Sequence, residues 1–445
     1  MRTAPLPMQF DYEEGNILNA GLLITQGQTP YPAPGSWPIV LNPYGPVAYL
    51  VTAAMVKCFG ISFLAPRLVS VFCGLFITFV LGAMIRRSGG SWSSVVLFAG
   101  AFLCVSSIRN WLLTCRVDWL ALALSLGGLA VFMFWERRWY VASVLFAAAL
   151  FVKYTLIAAP LACGLYLVMR RDWKLLAKIV GVSSAVCVIG FFATQRWSGG
   201  NFAFHTFGTH PDPYSFQQAG DFLWRRIKDI PVLFGLSVAA VILDFAKRKI
   251  SLPVLYFLAA TLGTLTAGKG GSTTNHLIEW TATICLCAGC GSVTISAWLA
   301  GKRFALAGSM VTAGIVASAV TAMLAYRLPF SRSTLCEPTY GYLREHGDSI
   351  LTDSVGALLL SGKPVLVSNP FVYTQLAARG GWPDTEVRER VEAKKFDMIL
   401  LREKMEVYPA DERFTGATLD AMKRNYHEAA TFACYDSRFA YLPNP

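Results

Sequence analysis

Apolar runs near the length of a membrane crossing recur from about residue 66 to about residue 326, each followed by a short polar connection. A helix needs roughly 20 residues to cross about 30 Å of hydrocarbon. Ten runs approach that length, near 66–85, 92–109, 117–135, 139–154, 156–169, 175–194, 231–246, 251–267, 277–299 and 303–325. On either side the pattern changes. The first 65 residues hold an acidic start, a helix-like stretch to Gln26 and the loop GQTPYPAPGSWPIVLNPYGP. The next stretch, PVAYLVTAAMVKCFGISFL, is interrupted by Lys57, which favours an amphipathic helix at the outer interface over a span. From Leu328 the long runs give way to SILTD, PVLVS and DMILL, expected as strands, and EVRERVEAKK and GATLDAMKRNY, expected as helices. FACYDSRFAYLP reads as a closing hairpin. The expected architecture is a mainly α membrane protein: an outer-loop and juxtamembrane region (1–65), a transmembrane helical domain (66–326) and an α/β domain (327–445).

Composition agrees. Of 445 residues 54% are hydrophobic and 15% charged, and the mean hydropathy is +0.47, too apolar for a soluble chain of this size. The net charge of +12 does not point to nucleic acid, because the bases form no single patch with interleaved aromatics. They mark every second connection instead: Arg86-Arg87, Arg137-Arg138, the group Arg170, Arg171, Lys174 and Lys178, then Lys247-Arg248-Lys249, and Lys302-Arg303. By the positive-inside rule these five lie in the cytoplasm, and the chain after Tyr326 lies outside. Nine of eleven cysteines, Cys58 to Cys290, fall in or beside apolar runs without metal spacing, and no metal is expected. Cys336 and Cys434, alone in the C-terminal region, are a candidate disulfide.

Ionisable groups in or beside spanning helices are costly and are functional candidates by default. Several share the outer side. Asp11, Glu13 and Glu14 place three carboxylates in four positions; Arg109, Arg116 and Asp118 flank one connection; Lys153 sits in LFVKYTL; His205, His210 and Asp212 lie in FHTFGTHPDPY; and Lys269, Asn275, His276 and Glu279 lie in GKGGSTTNHLIEW. Each has a bland reading: an ion pair for Arg116 and Asp118, snorkelling for Lys153, a charged helix start for the acids. GKGGSTTN lacks the GK[ST] ending of a phosphate-cradling loop. Taken together, cations suited to a phosphate and carboxylates able to take a proton, facing one aqueous boundary, fit a phosphate-bearing lipid substrate.

DYEEGNILNAGLLITQGQTPY resembles the first outer loop of the GT-C glycosyltransferases, which include protein mannosyltransferases and aminoarabinose transferases. CRVDWLALAL, FVKYTLIAAP and GKGGSTTNHLIEW resemble stretches of bacterial members, as does the C-terminal region. The resemblance implies transfer of a sugar from a polyprenyl-phosphate donor to a lipid, glycan or protein acceptor at the outer face of a bacterial plasma membrane, without a cofactor. It implies a carboxylate base in the first loop. The family's Asp-Glu pair falls on Glu13-Glu14 by distance to Gly27, or on Asp11 by side-chain identity. Arg116, Lys153 and Lys269 are the phosphate candidates, with Asp118, Asn275, His276 and Glu279 beside them in the substrate-binding set. Family members carry a spanning helix before this loop where this sequence has only MRTAPLPMQ, so a misassigned start is expected. A transporter or flippase is the rival reading, against which stand the absence of an inverted repeat in the sequence and the position of the acids in a loop.

Overall fold

The computed structural model of the protein describes residues 8–209, 213–300, 336–434 and 437–445; the expected span 303–325, Lys302-Arg303, His210 and Asp212 lie outside them. Among the described residues four helices are long and apolar enough to cross a membrane: Leu64–Arg87, Val117–Phe134, Trp173–Trp197 and the segment Thr274–Ile295. Two further stretches are bent. Trp92–Cys104 meets Ser106–Leu112 at 68°, and Phe216–Asp229 meets Pro231–Ala246 at 100°. Both bends have a backbone cause. Val105 is extended (φ −65°, ψ 124°). Ile230 precedes Pro231, whose ring disfavours α geometry in the residue before it, and leaves the helix at φ −137°, ψ 49°.

The runs expected at 139–154, 156–169 and 251–267 form 12-residue helices, Trp139–Leu150, Ala158–Met169 and Leu252–Gly263. At about 1.5 Å per residue each is roughly 18 Å long, short of a full crossing. The apolar run overstates the first of these helices, because the chain turns after Leu150 while its side chains are still apolar, whereas the last is carried on by a 3-10 stretch, Thr264–Gly268. Phe151 and Val152, just past the first of them, use their carbonyls to bind Val47 N (3.3 Å) and Gly45 N (3.2 Å). Gly45 is required there, since a Cβ would lie 1.9 Å from the Phe151 carbonyl oxygen.

Exposed apolar side chains mark the surface meant for lipid. Phe72, Phe79, Ile189 and Phe192 are each at least 65% exposed, and helix Trp173–Trp197 buries almost none of its apolar length. Two of the basic connections meet where Arg170 pairs with Glu136, next to Arg137-Arg138, at 3.0 Å.

The N-terminal segment wedges between the bundle and the C-terminal domain. Its helices are α1 (Tyr12–Thr25), α2 (Pro46–Phe59) and, entering the bundle, α3 (Leu64–Arg87). At 14 residues α2 is shorter than the roughly 20 residues of a full crossing. Gly15 brings α1 against the C-terminal domain, where a Cβ would meet Gly356 N at 2.6 Å.

The C-terminal domain carries a four-stranded sheet, β1 (Ile350–Thr352), β2 (Met398–Leu401), β3 (Tyr426–Ala433) and β4 (Ser437–Pro443), in spatial order β1-β2-β4-β3. The β1–β2 pair is parallel and the others antiparallel. The expected helices form as Thr385–Glu392 and Gly416–Asn425. PVLVS is the exception. Instead of joining the sheet it makes a single parallel bridge from Val367 to Ile39 of the N-terminal loop, because the N–H and C=O of Ile39 take its hydrogen bonds. Cys336 and Cys434 are joined as a disulfide, Cα to Cα 4.5 Å, beside Met8.

Candidate active site

Asp11 opens α1. As its N-cap it accepts Glu13 N (3.1 Å) while Glu14 reaches back to Asp11 N (3.3 Å), a capping box that fixes all three acids by local sequence. Their environments then diverge. Glu14 is wholly buried: Arg67, equally buried, grips both its oxygens at 2.8 Å, and Phe10 N and Cys115 N each donate at 2.7 Å. Its carboxylate is a latch that ties α1 to α3. Asp11 and Glu13 instead line a cavity of about 480 Å³ between the helix ends and the C-terminal domain.

In that cavity Asp11 uses Oδ2 twice, for Glu13 N and for Arg116 Nη1 at 2.8 Å. Its Oδ1 accepts no hydrogen bond from the described residues. Glu13 is held loosely by two amides, Asn369 Nδ2 at 3.3 Å and Asn16 Nδ2 at 3.4 Å. Burial raises both pKa values above the ordinary carboxylate range, and Arg116 pulls them partly back.

Arg116 caps helix Val117–Phe134 and Lys153 follows Trp139–Leu150, so both cations sit at the same end of adjacent helices. Asp118 lies between them: Lys153 Nζ is 2.6 Å from its Oδ1, Asn275 donates to that oxygen at 3.0 Å, and Arg116 Nε is 3.5 Å from Oδ2. A ladder of alternating charge, Asp11, Arg116, Asp118, Lys153, therefore runs into the cavity wall. Arg116, Lys153, Lys269, Asn275 and His276 line the cavity, whereas Asp118 and Glu279 line a smaller one of about 30 Å³ behind it. Glu279 is bound by the Tyr256 hydroxyl at 3.0 Å. Lys269 has no side-chain partner among the described residues, and its strand-like backbone is pinned by a bridge to Tyr214. Gly271, at φ +73°, completes that turn and leaves room for Phe371, whose ring a Cβ would meet at 2.6 Å.

Two of the histidines and an arginine named in the sequence stand differently. His205 is buried outside the cavity: Nδ1 accepts Asn42 N at 3.3 Å, so Nε2 carries the proton donated to the Pro32 carbonyl at 2.8 Å. Burial lowers its pKa to about 4. His276 shares a hydrogen bond with Thr266 Oγ1 at 3.1 Å. Arg109 does not reach the cavity.

The C-terminal domain contributes wall residues that the sequence did not single out: Phe371, Val372, Arg402, Glu412 and Arg413. Asn369, N-cap of Pro370–Ala378, accepts the Tyr12 hydroxyl at 3.0 Å and donates to Glu13. Arg413 stacks over the Tyr12 ring at 4.2 Å. These residues carry no local motif. For Arg402 and Arg413 the sequence signal was only their basic character in a domain whose charges otherwise read as solvated surface.

No family model matches the chain, and no curated protein matches it by sequence. Solved structures do match by shape. ArnT from Cupriavidus metallidurans, in a crystal structure bound to undecaprenyl phosphate and in one of the apo state, superposes with a TM-score of 0.65 in each case. The match covers 100% of this chain and 96% of that chain at 12% identity. The chain thus shares the fold of those structures, a helical membrane bundle with a C-terminal domain, the architecture expected from the sequence.

Proposed function

We propose that the protein is an integral membrane glycosyltransferase that moves a sugar from a polyprenyl-phosphate donor to a cell-envelope acceptor at the extracytoplasmic face. The observation that carries this reading is one cavity that Asp11, whose Oδ1 accepts no hydrogen bond from the described residues, shares with Arg116, Lys153 and Lys269. The undecaprenyl phosphate seen on the structural neighbour supports a lipid phosphate as the ligand of those cations. The positive-inside reading of the basic connections in the sequence supports an extracytoplasmic site and C-terminal domain.

In this mechanism the lipid phosphate binds where Lys153 and Lys269 converge, with the polyprenyl chain in the bilayer and the sugar in the cavity. Asp118 and Asn275 orient Lys153 and do not touch the substrate. The acceptor attacks the anomeric carbon as Asp11 Oδ1 removes its proton, and the bond from that carbon to the phosphate oxygen breaks. The cations stabilise the negative charge that develops on the leaving phosphate. Burial raises the Asp11 pKa, which makes it a stronger base than a solvated carboxylate, and the Arg116 guanidinium opposes that rise. Glu13, free to shift off its two long amide contacts, orients the acceptor. Glu14 takes no chemical part, since Arg67 and the backbone N–H groups of Phe10, Asp11 and Cys115 occupy its oxygens.

Lys269→Gln tests the phosphate assignment, because no side-chain partner among the described residues is lost. Loss of a charge-assisted contact of about 1.5–3 kcal/mol weakens binding by roughly 10- to 150-fold. Undecaprenyl phosphate affinity of the detergent-solubilised protein should fall by that factor with no change in melting temperature. Unchanged affinity would remove Lys269 from the site.

A further inference from the structure

We propose that Arg402 and Arg413 form a second anion subsite in the cavity, which binds an oxyanion carried by the acceptor, separate from the phosphate of the lipid donor. The acceptor part of this assignment rests on the glycosyltransferase reading; the subsite itself rests on geometry.

Both arginines line the cavity from the C-terminal domain, whereas the cations assigned to the donor come from the ends of membrane helices. Arg413 lies over Tyr12, the residue between Asp11 and Glu13, so the subsite adjoins the candidate base. A single wholly buried carboxylate anchors the pair from behind. Asp353 Oδ2 accepts the Tyr408 hydroxyl at 2.5 Å, and lies 3.4 Å from Arg413 Nη1 and 3.7 Å from Arg402 Nε.

The donors that remain are poorly satisfied. Each guanidinium offers five N–H groups in a planar fork suited to phosphate or carboxylate. Among the described residues the only short contact either makes is Arg402 Nη2 to Glu412 at 2.7 Å; the contacts of Arg413 there are 3.4 Å or longer, and Arg402 Nε is buried without a hydrogen-bond partner among them. Glu412, 37% exposed, lies on the cavity wall, whereas Glu403, 3.9 Å from Arg402 Nε, does not line the cavity. Glu412 occupies the place of an anion and can swing into solvent when an oxyanion arrives with two or three acceptor atoms. A purely structural network would instead have its hydrogen bonds closed, as Glu14 and Arg67 do.

The test uses the full-length protein in detergent, saturated with undecaprenyl phosphate, and measures equilibrium dialysis of radiolabelled inorganic phosphate. Phosphate should bind although the lipid site is filled. Arg402→Gln and Arg413→Gln should each weaken it at least tenfold, and Glu412→Gln should tighten it severalfold by removing the competing anion, an effect that a structural role does not produce. Arg402→Lys and Arg413→Lys, which keep the charge against Asp353, guard against misfolding; they should lie between parent and Gln variants. Acetate that displaces the phosphate would assign a carboxylate, and failure to displace it a phosphate. No phosphate binding to the folded parent, or binding unchanged in the double Gln variant, would overturn the proposal. If undecaprenyl phosphate itself fails to bind, the donor reading falls, while dialysis without lipid in Lys269→Gln still decides the Arg402–Arg413 subsite.

Discussion

Asp11→Asn separates the chemistry of the first-loop acids from their structural work. Asparagine caps a helix about as well as aspartate, so the Glu13 N contact and the start of α1 should survive. What is lost is the proton acceptor and the charge opposite Arg116. A positioned general base contributes about 10²–10⁴-fold in rate, equivalent to roughly 2.7–5.5 kcal/mol of barrier. The ion-pair loss is smaller. Removing one partner of a buried pair costs about 3–5 kcal/mol when the other is left uncompensated, but Arg116 still faces Asp118 at 3.5 Å and the Trp111 ring at 5.4 Å, so about 1–2 kcal/mol is expected. Asp11→Asn should therefore fold, bind undecaprenyl phosphate nearly as the parent does, and turn over at least a hundredfold more slowly. The assay follows consumption of a radiolabelled polyprenyl-phosphate sugar in proteoliposomes that contain envelope lipids and glycans, with lipid affinity and melting temperature measured on the same preparations. Turnover at the parental rate would show that Asp11 is a helix cap and that the base lies elsewhere.

Glu14→Gln should behave oppositely: it strands the buried Arg67, so a stability loss of about 3–5 kcal/mol is expected, read as a lower melting temperature and poor yield even where residual protein still binds lipid. Arg116→Gln removes the cation that holds the Asp11 and Glu13 pKa values down, so the acidic limb of the pH–rate profile should move to higher pH; a shift the other way would contradict the charge ladder. His205 has its folded pKa depressed to about 4 against an ordinary 6.5, so the stability it lends is present above about pH 6.5 and is lost as pH falls towards 4. Melting curves over that window should lose part of their pH dependence in His205→Asn.

The membrane class, the alternation of basic connections and the N-cap geometry of the acids are properties of short sequence windows, and they were legible there. Twenty apolar residues exclude a solvated environment whatever surrounds them, and Asp11 followed three residues later by Glu14 closes a capping box from local spacing alone. The strand and helix order of the C-terminal domain was readable for the same reason, except at PVLVS. There a run of β-type residues met the backbone of Ile39, more than three hundred residues away, before it could meet another strand. Helix lengths were overstated where apolar chain turns at the site, because hydropathy records solvent and not backbone direction.

Rank among the three acids belonged to tertiary structure. Asp11, Glu13 and Glu14 are alike as residue types; they differ because Arg67 and Cys115 close around one, Arg116 takes one oxygen of another, and only weak amide contacts reach the third. The same holds for Lys153 and Lys269, one paired with Asp118 and the other not. Arg402 and Arg413 were invisible as cavity residues, since their meaning comes from the docking of the C-terminal domain onto α1, a contact set by Gly15, Tyr12 and Asn369 together. Sequence supplies the charges and the local caps. Which of those charges remain free to act is decided by the long-range partners that desolvate some and leave others facing the cavity.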